Sequence, residues 1–313
     1  LISGAGTGGS APTPGARNSV YVANAPPQLR HRDHSPTRPA SGEAVTLSVK
    51  ATDPQGVAGV WLEYQIVVPG DYISLEDGRY DTQWTVVPMT DNGEGNSTYA
   101  AVLPGTVQQH RRLIRYRFRA EDTTGAEQLV PYADDPQPNF AYFVYDGVPP
   151  WTGTDRPGVT PAVTYDTATL TSLPVYHLIT TRTSHEDSQF IPDSTRGSGY
   201  TGSEYLWYGT FVHEGDVYDH VRYRPRGGVW RYARGKNMWK FNFNLGHRFQ
   251  GRDDYGKKYD VKKDKLNFSS TLHQAKYLSR GEQGLFEAVS FRLFNLVGVE
   301  GSDSNYLHFR IIE

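Results

Sequence analysis

The strongest constraint on how this chain can fold is a period-two alternation of aromatic and polar side chains in its second half. Trp239, Phe241 and Phe243 alternate with other side chains, among them Lys240. Because successive side chains of a β-strand point to opposite faces, the aromatic residues share one face and Lys240 lies on the other. The pattern therefore predicts a strand that turns one face to a core.

The segment before this strand predicts a partner strand whose outer face is cationic. Arg222, Arg224 and Arg226 share one face by the same alternation, and Lys236 falls on the same side as Lys240. A sheet with an aromatic face and a cationic face can hold an anion such as a phosphate. The alternative is an ordinary half-exposed antiparallel sheet whose charged face only keeps it soluble.

Composition limits the classes of fold and partner. The chain has 313 residues, which suggests two domains, and 37% hydrophobic with 13% aromatic residues are enough for packed cores. A formal net charge of −2 provides no field that favours nucleic acid, so we expect no nucleic-acid partner. The absence of cysteine rules out disulfides and thiolate zinc sites. No run reaches the roughly 18 apolar residues of a membrane helix, so we predict no membrane span.

Residues 25–146 predict a β-sandwich, and residues 1–24, rich in Gly, Ala, Ser, Thr and Pro, predict a linker. Short alternating strands with polar turns between them are typical of sandwiches. Arg115, Arg117 and Arg119 alternate with core positions and predict an exposed strand face. The segment resembles bacterial Ig-like or fibronectin-III-like modules. These run from a D-x-x-G-V turn to a strand ending A-x-D-x-x-G, here residues 53–57 and 120–125.

After a second predicted linker at residues 147–171, residues 172–313 predict several strands and one long helix. Ser279 and Glu282 have the spacing of a capping box at the helix start, and Gly298 predicts its end. An apolar stripe should pack the helix on the sheet, formed by Leu285, Val289, Leu293 and Leu296.

The order of these elements over residues 172–313 resembles the start of a CotH-type kinase-like domain, a family named after a spore-coat protein and common in exported bacterial proteins. The matching pieces are an L-P-x-Y strand at 173–178, an R-G strand, loop and K-x-x-x-K-F-x-F strand at 221–243, an L-N step at 266–267, and the helix ending at Gly298 with the strand after it. One departure concerns the loop: the family has R-G-N-S-S, whereas Arg226-Gly227 is followed by Gly-Val-Trp here.

The resemblance implies an atypical protein-kinase fold that binds ATP and Mg and acts on a protein phosphoacceptor. In kinases a strand lysine neutralises the nucleotide phosphates and a helix glutamate holds that lysine. Lys240 or Lys236 is the candidate lysine, Glu287 the candidate glutamate, and Arg226 a candidate fork-shaped phosphate donor. The family's metal-binding and catalytic carboxylates lie beyond residue 313. We therefore expect no catalytic residue or metal ligand in this chain, and no activity from it alone.

The predicted fold class is mainly β with one long helix: an Ig-like β-sandwich followed by the α+β amino-terminal lobe of a kinase-like domain, truncated. We expect an exported protein, extracellular or at the cell surface, of which this chain is an internal piece. The alternative is a non-catalytic cell-surface, adhesion or carbohydrate-associated structural protein, in which Lys236, Lys240 and Glu287 are only solvated. The 21 tyrosines and 6 tryptophans of this chain are typical of such proteins. A third possibility is an Ig-like adhesion module fused to an unrelated β-rich domain.

Overall fold

The computed structural model describes residues 23–154, 158–189, 206–226, 237–253, 255–269 and 282–313. The described chain is mainly β, which confirms that part of the predicted fold class. It divides into two compact units, the first formed by Leu1–Val67 with Asp77–Asp146 and the second by Val68–Glu76 with Gly147–Glu313. In the described parts of both units, no helix is long and apolar enough to cross a membrane.

The first unit consists of strands and one short described helix: β1 (Gln28–Ser35), β2 (Val45–Thr52), β3 (Val57–Val67), α1 (Arg79–Thr82), β4 (Thr85–Pro88), β5 (Thr90–Asp91), β6 (Thr98–Leu103), β7 (Leu113–Asp122), β8 (Glu127–Val130) and β9 (Phe140–Phe143). One sheet has the order β1-β2-β6-β5 and the other the order β4-β3-β7-β8, with β9 also paired to β7. Buried side chains of both sheets, such as Leu47 and Phe118, belong to one hydrophobic cluster. The unit is therefore a β-sandwich.

The two turn motifs of the first unit lie side by side. The Asp122 carboxylate accepts hydrogen bonds from the backbone N–H groups of Thr124 at 2.8 Å and Ala126 at 2.9 Å. The neighbouring Thr123 N–H donates to the carbonyl of Gly56, at 3.1 Å, in the D-x-x-G-V turn. An aspartate that satisfies its own turn in this way fixes the end of β7 against the start of β3.

The prediction of an exposed arginine face on β7 is wrong. Arg115 is completely buried. The guanidinium carbons of Arg117 and Arg119 lie 3.8 Å and 4.2 Å from the ring centroids of Trp84 and Trp61. Alternation identified the correct face of the strand, but it contained no information about the tryptophans that cover that face.

The second unit contains strands and three described helices: β10 (Trp151–Gly153), β11 (Val163–Tyr165), α2 (Thr167–Leu170), β12 (Val175–Ile179), α3 (Arg182–Ser188), β13 (Trp207–His213), β14 (Asp216–Arg226), β15 (Met238–Asn242), β16 (Lys265–Phe268), α4 (Glu282–Leu296) and β17 (His308–Ile312). Strands β10 and β11 form a two-stranded ribbon, within the segment that the sequence predicts as a linker. The main sheet has six strands in the order β16-β15-β14-β13-β12-β17. Strands β12 and β17 are parallel and the other neighbours are antiparallel.

Helix α4 ends as predicted but does not bury the predicted stripe. Gly298 has φ +80°, a left-handed conformation that suits the residue after a helix. The stripe residues are exposed by between 45% at Val289 and 70% at Leu296. The physical reason is that α4 is apolar on several sides, with Phe286 and Phe294 also exposed, so the pattern does not select one face. Ser279 of the predicted capping box lies outside the described residues.

Candidate functional site

The register of three neighbouring strands places Lys240 and the predicted arginines on one face of the six-stranded sheet. Lys240 of β15 pairs with Arg224 of β14 on one side and with Asn267 of β16 on the other. The adjacent pair, Tyr223 and Phe241, is fully buried on the opposite face. The predicted separation into an aromatic face and a cationic face is thereby confirmed.

We call the polar side of these three strands the cationic face. Its basic side chains are Arg222, Arg224, Arg226, Lys240 and Lys265. Directly opposite residues on adjacent strands have Cβ atoms roughly 5 Å apart, and diagonal neighbours are about 7–8 Å apart. Lys240 is therefore the central cation, directly opposite Arg224 and diagonal to Arg222, Arg226 and Lys265. Arg222 and Arg226, four residues apart on β14, are separated by about 13 Å.

Lys240 is half-buried and has cationic neighbours on both adjacent strands. Burial lowers the pKa of Lys240, the charges of Arg224, Lys265 and Arg226 lower it further, and Asp264 opposes them. Asp264 lies 3.7 Å from Lys265, but both side chains are more than half exposed, so that ion pair is weak. An anion bound beside Lys240 would relieve this repulsion and favour the charged form of the lysine.

The opposite face of the sheet borders a cavity of about 1180 Å³. Its floor includes the aromatic rings of Trp239, Phe268 and Phe309, and α4 contributes Glu287 and Phe291. An apolar floor with a few polar groups at the rim is typical of sites for small molecules. Lys265, Asn267 and Arg226 of the cationic face also line the cavity, so the two surfaces meet at β16 and at the end of β14.

The structure brings two of the predicted site residues to this cavity. Arg226, the last residue of β14, and Glu287 are both exposed, and both line it. Lys240 does not line it, and within the described chain no ion pair joins Lys240 to Glu287. Lys236 lies outside the described residues. The lysine–glutamate pair that the family resemblance implies is therefore not formed by Lys240.

Sequence reasoning placed Arg224 on the cationic face without naming it a site residue, and it did not include Lys265. Both are close enough to Lys240 to lower its pKa. The signal for Lys265 was present, since Lys265 and Asn267 alternate with Leu266 and Phe268. What the alternation could not supply was the strand order, which places β16 beside β15.

No described group of three or more His, Cys, Asp or Glu side chains is arranged to hold a metal ion. Mg is commonly held by one or two carboxylates together with substrate phosphates, so the Mg implied by the family resemblance stays a prediction. The cationic face can bind an anion by charge and hydrogen bonding.

Comparisons with known proteins provide no further assignment. No family model matches this chain, and no curated protein matches it. Among solved structures, the match titled as the crystal structure of the Br derivative of BhCBM56 is 15% identical, covers 34% of this chain and 85% of that chain, and has a TM-score of 0.21. A TM-score this low carries no argument about fold or function.

Proposed function

We propose that the second unit is the amino-terminal part of a CotH-type kinase-like domain and that its cationic face binds the phosphates of ATP. The observation that supports this proposal is the position of Lys240, half-buried between strands that also present Arg224, Arg226 and Lys265. In the same proposal the first unit is an Ig-like or fibronectin-III-like module of an exported, cell-surface protein. The phosphoacceptor of the whole protein is another protein.

The chemistry of the face suits a polyphosphate. Arginine presents a planar fork of N–H donors that matches two phosphate oxygens, whereas the lysine ammonium acts as a compact charge. The side-chain amides of Asn242 and Asn267 lie among the cations and add neutral donors. Since no carboxylate set for catalysis is assigned in this chain, we expect it to bind nucleotide without transferring phosphate.

A second candidate function is a non-catalytic, carbohydrate-associated or adhesive cell-surface protein. The observation that favours it is that Lys240 and Glu287 do not form the kinase-type pair in the described chain. Under this alternative the cationic face is a solvated surface, and the two functions differ in whether nucleotide binds at all.

Titration calorimetry of the chain with ATP, with and without Mg, tests the first proposal. Lys240→Ala removes one charge-assisted contact of roughly 1.5–3 kcal/mol, so we expect ATP binding about 10- to 150-fold weaker. Raising the salt concentration should weaken binding further, because the face is partly exposed. Adding Lys236→Ala to Lys240→Ala tests the second predicted lysine.

Lys50→Ala is the matched control, since Lys50 is also a half-buried strand lysine but belongs to the first unit. We expect its ATP affinity to equal that of the wild type. No heat of binding at millimolar ATP, or equal affinities of wild type and Lys240→Ala, contradicts the proposal and leaves the structural alternative. A radiolabel assay that detects phosphate transfer by this chain would refute the expectation that it is inactive alone.

A further inference from the structure

Strand β14 contains one residue more than its partner β13 in the region before the cationic face. Gly209 pairs with Val221, but Phe211 pairs with Tyr218, so β13 advances by two residues where β14 advances by three. Two residues of β14, Asp219 and His220, therefore lie opposite a single residue of β13. This arrangement is a β-bulge, and His220 within it has φ +55°, a left-handed conformation that is uncommon for a residue with a side chain.

The bulge decides which way the arginines point. Tyr218 faces the aromatic core. Strict alternation counted from Tyr218 would turn Arg222, Arg224 and Arg226 towards that core, since they follow at even intervals. The extra residue reverses the alternation, so that Tyr223 is buried and the arginines face outwards. Without the bulge there is no cationic face in this register.

A buried carboxylate holds the bulge in place. The side chains of Asp219 and His220 are completely buried, and the Asp219 carboxylate lies 3.3 Å from His220 Nε2. The same carboxylate accepts hydrogen bonds from the Thr210 hydroxyl at 2.6 Å, the His220 backbone N–H at 2.8 Å and the Tyr72 hydroxyl at 3.3 Å. The amide of Asn244 donates to the Asp219 carbonyl at 3.3 Å. Because three groups donate hydrogen bonds to this carboxylate, it fixes the backbone conformation around it.

We infer that Asp219 is a positioning residue, whose buried carboxylate holds the bulge that turns Arg222, Arg224 and Arg226 onto the cationic face. Asp219 itself does not lie on that face, so it acts through the arginines. The functional consequence rests on the proposed phosphate binding. The position of the arginines is a separate property, which can be measured without ligand.

The test measures two quantities in each variant: the pKa of Lys240 by NMR of labelled lysine without ligand, and the affinity for ATP by calorimetry. In Asp219→Ala the arginines lose their fixed orientation, so the pKa of Lys240 should rise towards its ordinary value. ATP binding should weaken about tenfold, the equivalent of one lost contact. Asp219→Asn keeps an oxygen acceptor and should retain both wild-type values.

Asp216→Ala is the matched control, because Asp216 is an exposed carboxylate at the other end of β14. It should leave both quantities unchanged. If Asp219→Ala does not fold, Thr210→Val and Tyr72→Phe, which each remove one hydrogen bond to the carboxylate, decide the question by the same two readouts. An unchanged Lys240 pKa in a folded variant overturns the inference. A raised Lys240 pKa in a chain whose wild type binds no ATP supports the positioning role and refutes the nucleotide proposal alone.

Discussion

Replacing Glu63 by Gln is the sharpest test of how the first unit uses its arginines. The Glu63 carboxylate accepts hydrogen bonds from Arg117 at 2.9 Å and from Arg119 at 3.3 Å. Glutamine has nearly the same shape but no charge. The substitution removes the carboxylate that pairs with Arg117, whereas Arg119 keeps Glu127 at 2.7 Å. The change therefore isolates the charge of one carboxylate.

The structure sets the size of the effect. Breaking a fully buried pair costs about 3–5 kcal/mol, whereas an exposed pair contributes roughly 0–1 kcal/mol. The side chains of Glu63, Arg117 and Arg119 are 12%, 18% and 25% exposed, so the cost lies between these limits. We expect Glu63→Gln to lower the free energy of unfolding of the first unit by about 2 kcal/mol.

Hydrogen exchange of the amides in β3 and β7 measures this loss within the unit concerned. A decrease of about 2 kcal/mol corresponds to roughly thirtyfold faster exchange of the most protected amides. Glu127→Gln is the control, because Glu127 is 52% exposed and its loss should change exchange by a few-fold at most. Equal effects of the two substitutions would refute the argument that the buried charge of Glu63 stabilises the sheet.

Two further predictions concern pH and packing. Hydrogen bonds from the Asn24 side chain, then from Ala126 and Thr124, hold the pKa of Asp122 at about 2. Its folded pKa is thus depressed, so its contribution is complete above its unfolded pKa near 4 and is lost as the pH falls towards 2. In acid unfolding, the stability difference between wild type and Asp122→Asn should shrink over that interval; a constant difference contradicts the assignment. Gly209→Ala places a methyl group 2.7 Å from Leu178 Cδ1 and 2.8 Å from the carbonyl oxygen of Ile179, so urea unfolding should show a loss of about 1–3 kcal/mol. An unchanged urea midpoint would contradict this steric argument.

Local alternation predicted the faces of individual strands, because side-chain direction depends only on neighbouring residues. Val45, Leu47 and Val49 are buried as the sequence indicates, and Arg224 and Lys240 share a face. Patterns could not predict features that depend on distant residues. Two such features are the packing of tryptophan rings on the β7 arginines and the position of β16 beside β15 in the sheet.

The bulge at Asp219 shows the limit of pattern analysis most clearly. Counted backwards from Tyr223, alternation gives the correct outward direction for Arg222, but counted forwards from Tyr218 it gives the opposite direction. Both counts follow the same rule of alternation. The position of the bulge, where the alternation breaks, depends on the residues that contact Asp219. Tyr72 among them lies far away in sequence, so a local window could not have found it.

Arg226 connects the two surfaces of the six-stranded sheet. Its charge contributes to lowering the pKa of Lys240 on the cationic face, and its side chain also lines the cavity that Glu287 borders. Lys265 and Asn267 of the edge strand β16 also belong to the cationic face and line this cavity. A phosphate bound by Lys240 and Arg226 would therefore lie at the edge of the sheet, and the rest of a nucleotide could extend from that edge into the aromatic cavity. In this arrangement Lys240 and Glu287 could both contact one nucleotide without forming an ion pair with each other.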